Sequence, residues 1–182
     1  MVTPTGGEDA ALLFLNRREA ATVDAFSSEF IPGEEGSPGA TEAGVTTYID
    51  RALAGFMRDL QATYRRGLAA VDALATERFS TVFSMATDSQ RRQLMREMDE
   101  VARKESESFL GQFFGIVREH TVQGYFGDPA YGGNRDTIGW KLVGFPGAQW
   151  GYSPEQMRPG VDARSIPILT VSDLYTRIGA SK

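Results

Sequence analysis

The sequence contains no cysteine and a single histidine, His120, in 182 residues. Without thiols the chain has no disulfide, no thiolate zinc or iron–sulfur site, and no c-type haem attached through a C-x-x-C-H motif. Nitrogen and oxygen atoms are therefore the only metal ligands left. A protein without cysteine is compatible with reducing and oxidising compartments alike.

Long apolar runs, a basic charge balance and nucleotide-binding motifs are also missing. No stretch approaches the roughly 18 apolar residues of a membrane span. The formal net charge of −5 and the pI near 5.0 argue against nucleic acid as a partner, because phosphate binding needs a basic surface. G-x-G-x-x-G, G-x-x-x-x-G-K and G-x-S-x-G are all absent, so the chain has no recognisable means of holding FAD, NAD or ATP.

Helical periodicity dominates the first two thirds of the chain. Asn16 and Glu19 form an N-cap pair, and the apolar spacing that follows predicts a helix over residues 17–30. Residues 32–44, PGEEGSPGATEAG, are a loop by composition. The next apolar positions step by three or four from Val45 to Leu74, which predicts one long helix over residues 44–75.

Further helical signals follow. Gly67 lies inside the long predicted helix and marks a bend or a close contact. Thr87 and Gln90 form a capping box before another amphipathic stretch. A last apolar set begins at Phe109 and extends to about Val122. We therefore predict an all-α fold, a small helical bundle of three to five helices with a long irregular C-terminal segment rich in glycine and aromatic residues.

The composition changes after the predicted helices. We predict a single domain over residues 1–182, with a helical core at 16–123, a glycine- and aromatic-rich docking segment at 124–152 and an extended tail at 153–182, in which a turn of helix follows Ser172. Both tryptophans of the chain lie in the docking segment. Each large aromatic ring contributes several kcal/mol if it is buried, so we expect these rings to be covered by some surface.

Few residues in the sequence could carry chemistry. His120 lies on the apolar stripe of its predicted helix, which is typical of a packed, hydrogen-bonded histidine, and an enzyme centred on it is the least favoured interpretation. The most polar cluster of the docking segment is Asn134, Arg135 and Asp136. These residues either bind a partner or a sugar-like ligand, or Asn134 and Asp136 close a turn while Arg135 lies in solvent.

Three stretches together resemble one known family, the small subunit of gluconate 2-dehydrogenase, known as subunit 3. They are FIPGEEGSPGATEAGVTTYIDRAL at residues 30–53, FFGIVREHT at 113–121 and GYFGDPAYGGNRDTIGWKLVGFPG at 124–147. The similarity spans about residues 12–152. Each motif is weak alone, and their order makes the resemblance specific.

The resemblance implies an accessory subunit without a catalytic, cofactor or metal site of its own. It would pair with a large FAD-dependent dehydrogenase of the glucose-methanol-choline oxidoreductase type that oxidises a sugar, polyol or glycoside, in some cases alongside a multihaem cytochrome c. Family members also carry a twin-arginine leader, whereas this sequence begins MVTPTGGEDA. We therefore expect a cytoplasmic location for the sequence as it stands, or a periplasmic one if a leader was removed.

Aromatic and arginine side chains are common anchors of protein interfaces. On that basis we predict that the partner-binding residues lie in the docking segment: Tyr125, Phe126, Tyr131, Asn134, Arg135, Trp140, Phe145 and Trp150. The alternative is a freestanding carbohydrate-binding module in which Trp140, Trp150 and the Asn134–Asp136 cluster hold a sugar.

Overall fold

The computed structural model describes residues 11–105 and 107–180, so both ends of the predicted single domain, including the MVTPTGGEDA segment, lie outside the described part. That part is helical and contains no β-strand, which confirms the all-α class. It has seven α-helices instead of the predicted three to five: α1 Arg17–Phe30, α2 Val45–Ala54, α3 Gln61–Phe79, α4 Asp88–Lys104, α5 Phe109–Phe126, α6 Ile138–Val143 and α7 Val171–Ala180.

Helices α1 and α4 begin where their capping boxes predict. The Asn16 side chain accepts a hydrogen bond from the Glu19 N–H, and the Glu19 carboxylate accepts one from the Asn16 N–H. Thr87 and Gln90 make the same reciprocal pair at the start of α4. Each box satisfies two backbone donors that a helix N-terminus otherwise leaves unpaired.

The long helix predicted over residues 44–75 is wrong, because the chain breaks between α2 and α3. Gly55 leaves the helical region with ψ −108, and a short 3-10 helix, Arg58–Leu60, leads into α3. The Gln61 side-chain amide donates to the Leu53 carbonyl at 2.8 Å, which satisfies an acceptor near the end of α2. The break turns Phe56 outward, so this residue is exposed although it fits the apolar period.

Helix α5 lies at the centre of the bundle and contacts α1, α2, α3, α4 and α6. Its buried residues include Phe113, Phe114 and Val117, which join the main apolar core. Gly67 permits a close approach of α3 to α5: a Cβ there would lie 2.3 Å from the Phe113 ring. Of the two roles predicted for Gly67, a bend or a close contact, the structure thus supports the close contact.

A buried carboxylate fixes the segment that precedes α1. Asp50 of α2 accepts hydrogen bonds from the backbone N–H groups of Leu13, Phe14 and Leu15 at 2.7, 3.0 and 2.8 Å. Multiple N–H donors compensate a carboxylate for the water that it loses on burial. The segment that leads into α1 is therefore held against α2 by these hydrogen bonds.

The C-terminal third is more regular than the sequence predicts. Helix α5 runs on to Phe126, three 3-10 helices and α6 follow, and α7 continues for ten residues where a turn was expected. Gly147 and Leu169 form an isolated parallel bridge that joins the tail to the preceding segment. Within the described residues, no helix is both long and apolar enough to cross a membrane.

Candidate functional site

The most polar grouping of the docking segment is a structural one, centred on Asn134. This side chain is fully buried; its amide N–H donates to the Gly127 carbonyl at 2.7 Å, and its oxygen accepts from the Gly139 N–H at 2.8 Å. Asn134, Asp136 and Thr137 all have positive φ angles, so the turn is strained. This favours the structural interpretation of the cluster, with Arg135 exposed to solvent.

The two tryptophans have opposite environments. Trp140 is 4% exposed, and its indole N–H donates to the Phe126 carbonyl at 2.6 Å. Trp150 is 69% exposed. The chain itself therefore covers one of the two indoles and leaves the other exposed to solvent.

The remaining predicted partner-binding residues are divided in the same way. Tyr125 is fully buried, and its hydroxyl donates to the Pro38 carbonyl at 2.6 Å. Burial, reinforced by the nearby charge of Glu42, raises the pKa of Tyr125. Phe126 is half-buried, whereas Tyr131 and Phe145 are exposed. Within this chain, Tyr125, Asn134 and Trp140 thus support the docking segment from inside instead of forming its surface.

An apolar groove of about 710 Å³ lies between α2, the end of α5 and the 3-10 helix Pro129–Tyr131. Its lining includes Tyr48, Phe56, Val122, Phe126 and Tyr131, and we call it the Phe56–Tyr131 groove. The two rings that name it meet edge to face with their centroids 6.5 Å apart. Phe56 is 65% exposed and Tyr131 is 55% exposed, so the groove presents aromatic surface to solvent.

Two polar side chains of this groove, Tyr48 and Asp128, are hydrogen-bonded within the chain. Tyr48 donates to the Gln123 side-chain oxygen at 2.9 Å, and burial, followed by the charge of Glu119, raises the pKa of its hydroxyl. Asp128 accepts hydrogen bonds from the backbone N–H groups of Ala130 at 2.9 Å and Val171 at 2.8 Å. The groove therefore suits an apolar partner surface better than a polar small molecule.

Phe56 and Val122 lie on the surface, which was not predicted from the sequence. Val122 lies five positions after Val117, off the apolar stripe of α5, and this spacing could have indicated that Val122 is exposed. Phe56 carried no such signal, because its exposure results from the break at Gly55.

His120 packs in the core as predicted. It is 6% exposed, its Nδ1 lies 2.8 Å from the Tyr64 hydroxyl, and the two rings stack. Burial lowers the pKa of His120, and the charge of Glu119 opposes this in part. Among the described residues no group of three or more acidic or histidine side chains could hold a metal ion.

A second large groove, of about 700 Å³, lies between α1 and α3 and has charged side chains from both helices in its lining. Its charges are paired within the chain: Arg18 contacts Asp72 at 2.9 Å, and Arg65 forms an ion pair with Glu19. These pairs hold α1 against α3, which is a structural role.

Comparison with protein families agrees with the resemblance seen in the sequence. The model of the family described as gluconate 2-dehydrogenase subunit 3 matches residues 17–147. This chain belongs to the gluconate 2-dehydrogenase subunit 3 family. The match begins with α1 and ends just after α6, so it covers the bundle and the docking segment up to Gly147. Neither the curated proteins nor the solved structures gave a significant match.

Proposed function

We propose that this chain is the non-catalytic small subunit of a complex in which it binds and stabilises a large FAD-dependent dehydrogenase of the glucose-methanol-choline type. The large subunit would bind the flavin and oxidise a sugar or glycoside, and a multihaem cytochrome c would be the third component. Family membership supports the role of a dehydrogenase subunit.

The observation that carries the proposal is the amount of aromatic surface left outside the core. The Phe56–Tyr131 groove, Trp150 and Tyr175 are all exposed in the isolated chain. Large exposed apolar patches mark interaction sites in soluble proteins, and tyrosine and tryptophan are enriched at interface centres. An accessory subunit needs such a surface and needs no reaction centre of its own.

The test is expression of the large subunit with and without this chain. We expect the large subunit alone to be insoluble or deficient in FAD, and co-expression to restore soluble yield, flavin absorbance and dehydrogenase activity. A large subunit that is equally soluble, active and loaded with FAD on its own would refute the proposal.

Two matched double variants test whether the Phe56–Tyr131 groove is the surface that rescues the large subunit. Phe56→Ser/Tyr131→Ser removes two aromatic side chains of the groove, whereas Leu13→Ser/Met85→Ser removes two equally exposed apolar side chains elsewhere. Rescue should fail with the first pair and persist with the second.

Calorimetry with the isolated chain tests the carbohydrate-binding alternative. Buried Trp140 and Asn134 are already engaged within the chain, which leaves few groups to hold a sugar. Binding of a sugar by the pure chain at millimolar or lower concentration would favour that alternative.

A further inference from the structure

A small pocket separate from the Phe56–Tyr131 groove lies where the tail crosses α6. It has a volume of about 240 Å³, and its walls come from α6, from the turn that follows α6 and from residues 163–168. Trp140, Phe145, Ile166 and Ile168 supply the apolar part of the lining. Ligand pockets for small molecules usually occupy ~300–1,000 Å³, so this pocket is sized for a smaller group such as one amino-acid side chain.

The pocket is held in shape by contacts within the chain. Trp140 is fixed by its bond to the Phe126 carbonyl and meets Phe145 edge to face, with centroids 5.4 Å apart. The tail is tied down on the other side, because the Ala148 N–H donates to the Leu169 carbonyl at 2.7 Å and the Leu169 N–H donates to the Pro146 carbonyl at 3.1 Å. A pocket formed in advance loses less entropy when it binds a partner.

Two cationic side chains line the pocket, and no acidic side chain does. They are Lys141 of α6 and Arg164 of the tail. Arg164 lies over Gly144, whose φ of +71 ends α6 and where a Cβ would come within 3.1 Å of the arginine stem. Lys141 donates to the Asp136 carbonyl at 2.7 Å, and in the described part of the chain Arg164 makes no ion pair. The charged groups of the lining are thus both cationic, and the Asp162 carboxylate, which accepts from the Arg164 backbone N–H at 3.0 Å, lies outside the lining.

We infer that this pocket receives one apolar side chain of the large subunit that has a carboxylate directly beside it. Resting on the proposed function, the inference specifies how the partner is recognised. The apolar side chain would fill the space between Phe145 and Ile166, and Lys141 and Arg164 would bind the carboxylate. Arginine holds carboxylates through paired hydrogen bonds, which adds direction to the charge attraction.

A sugar is a poor match for the same pocket. Its hydroxyl groups each need a hydrogen-bonding partner, and Phe145, Ile166 and Ile168 offer none from their side chains. The combination of apolar walls and two cations instead complements an acidic and apolar segment of polypeptide.

The primary test measures the dissociation constant of the two-subunit complex with charge-reversal variants. Lys141→Glu/Arg164→Glu should raise the dissociation constant at least about 30-fold, since loss of a close interfacial charge pair costs ~2 kcal/mol or more. Arg92→Glu/Arg96→Glu makes the same change in net charge on exposed residues of α4 and should raise it less than about threefold. Thermal unfolding of each variant checks that the fold is intact.

The outcomes separate the inference from the proposed function. If the wild-type complex forms and both double variants bind equally well, the inference is wrong and the accessory-subunit proposal stands. If the wild-type chain forms no complex with the large subunit, the proposed function is wrong and the inference falls with it.

Small probes test the pocket in the isolated chain. N-acetyl-phenylalanine, which combines a ring with a carboxylate, should shift the NMR signal of the Trp140 indole N–H and bind at least about fivefold more tightly than N-acetyl-phenylalanine amide. The Arg164→Gln variant should abolish this preference. Equal binding of acid and amide, or a larger response to gluconate than to either, would overturn the inference.

Discussion

The two regions of the molecule differ in what covers their apolar residues. In residues 11–126 the helices bury their apolar stripes against one another around α5, and Phe26, Phe113 and Tyr125 are fully enclosed. In residues 127–180 Trp140 and Ile166 are buried, but they stand outside that core cluster. Within the described part of the chain, 15 large apolar side chains are exposed, and ten of them lie in this second region.

The comparison indicates a division of tasks. The bundle obtains its stability from apolar burial, whereas the second region is shaped mostly by hydrogen bonds to backbone groups, such as those of Asn134, Trp140 and Asp128. Hydrogen bonds of this kind specify geometry and add only ~1 kcal/mol each. A region whose shape is set by hydrogen bonds can leave aromatic rings exposed, because its fold does not require their burial.

The largest effect is expected from Phe26→Ala. Phe26 is fully buried and packs against the rings of Phe83, Phe113 and Phe114, so its truncation should lower the free energy of unfolding by about 3–5 kcal/mol. Urea unfolding followed by circular dichroism measures it. Phe56→Ala is the matched control and should cost less than about 1 kcal/mol, since Phe56 is mostly exposed. Similar losses for the two variants would contradict the distinction between core and surface.

A smaller and more local effect is expected from Asn134→Ala. The change leaves the Gly127 carbonyl and the Gly139 N–H without their partner, at a cost of about 2–3 kcal/mol. Both tryptophans lie in the second region, so tryptophan fluorescence should report this loss at lower urea than circular dichroism does.

Asn134→Gly separates the contribution of the side-chain hydrogen bonds from that of the positive φ angle at residue 134. It removes the same hydrogen bonds but tolerates the φ of +45, so it should be about 1 kcal/mol more stable than Asn134→Ala. Coincident fluorescence and dichroism transitions in both variants would show that the two regions unfold as one unit.

A pH-dependent effect is expected from His120 in the bundle. Because burial lowers the pKa of His120 in the folded state, the unfolded chain binds more protons just below pH 6.5. Stability should therefore fall as pH drops through about 6.5, by at most ~1.4 kcal/mol for each unit of pKa difference. His120→Asn, which keeps an acceptor for Tyr64, should lose this component. Unfolding curves of the wild type and of His120→Asn at pH 7.5 and 5.5 provide the measurement. Equal losses of unfolding free energy in the two proteins would contradict the prediction.

The smallest effect on stability is expected from Trp150→Ala. Because Trp150 is 69% exposed, the free energy of unfolding should change by less than about 0.5 kcal/mol. Affinity for the large subunit should nevertheless fall at least about tenfold if this indole is an interface anchor. Met85→Ala, at an equally exposed site in the bundle, should alter neither quantity. Unchanged affinity of the Trp150 variant would remove this residue from the predicted docking surface.

Local signals in the sequence predicted much of the bundle. The capping boxes at Asn16 and Thr87 placed the starts of α1 and α4, because those hydrogen bonds join residues only three apart. The break at Gly55 could not be predicted in the same way, since the apolar period continues from Leu53 to Leu60 across it. The bond from Gln61 to Leu53, which satisfies the end of α2, forms only once the chain has turned.

The docking segment was harder to predict, because composition does not tell which surface covers a ring. Trp140 and Trp150 look alike in the sequence, and only the fold places Trp140 beside the Phe126 carbonyl. Helix α6 has six residues and follows a turn with positive φ angles, so it shows too little periodicity to be recognised. The partner-binding role of the exposed residues remains a prediction.

The carboxylate of Asp128 joins two elements that lie about 40 residues apart in the sequence. One oxygen holds the short helix that carries Tyr131, and the other holds the first residue of α7. The short helix of the aromatic groove and the start of the C-terminal helix are therefore held by one side chain. Loss of this carboxylate would leave a backbone N–H group in each of the two elements without its partner.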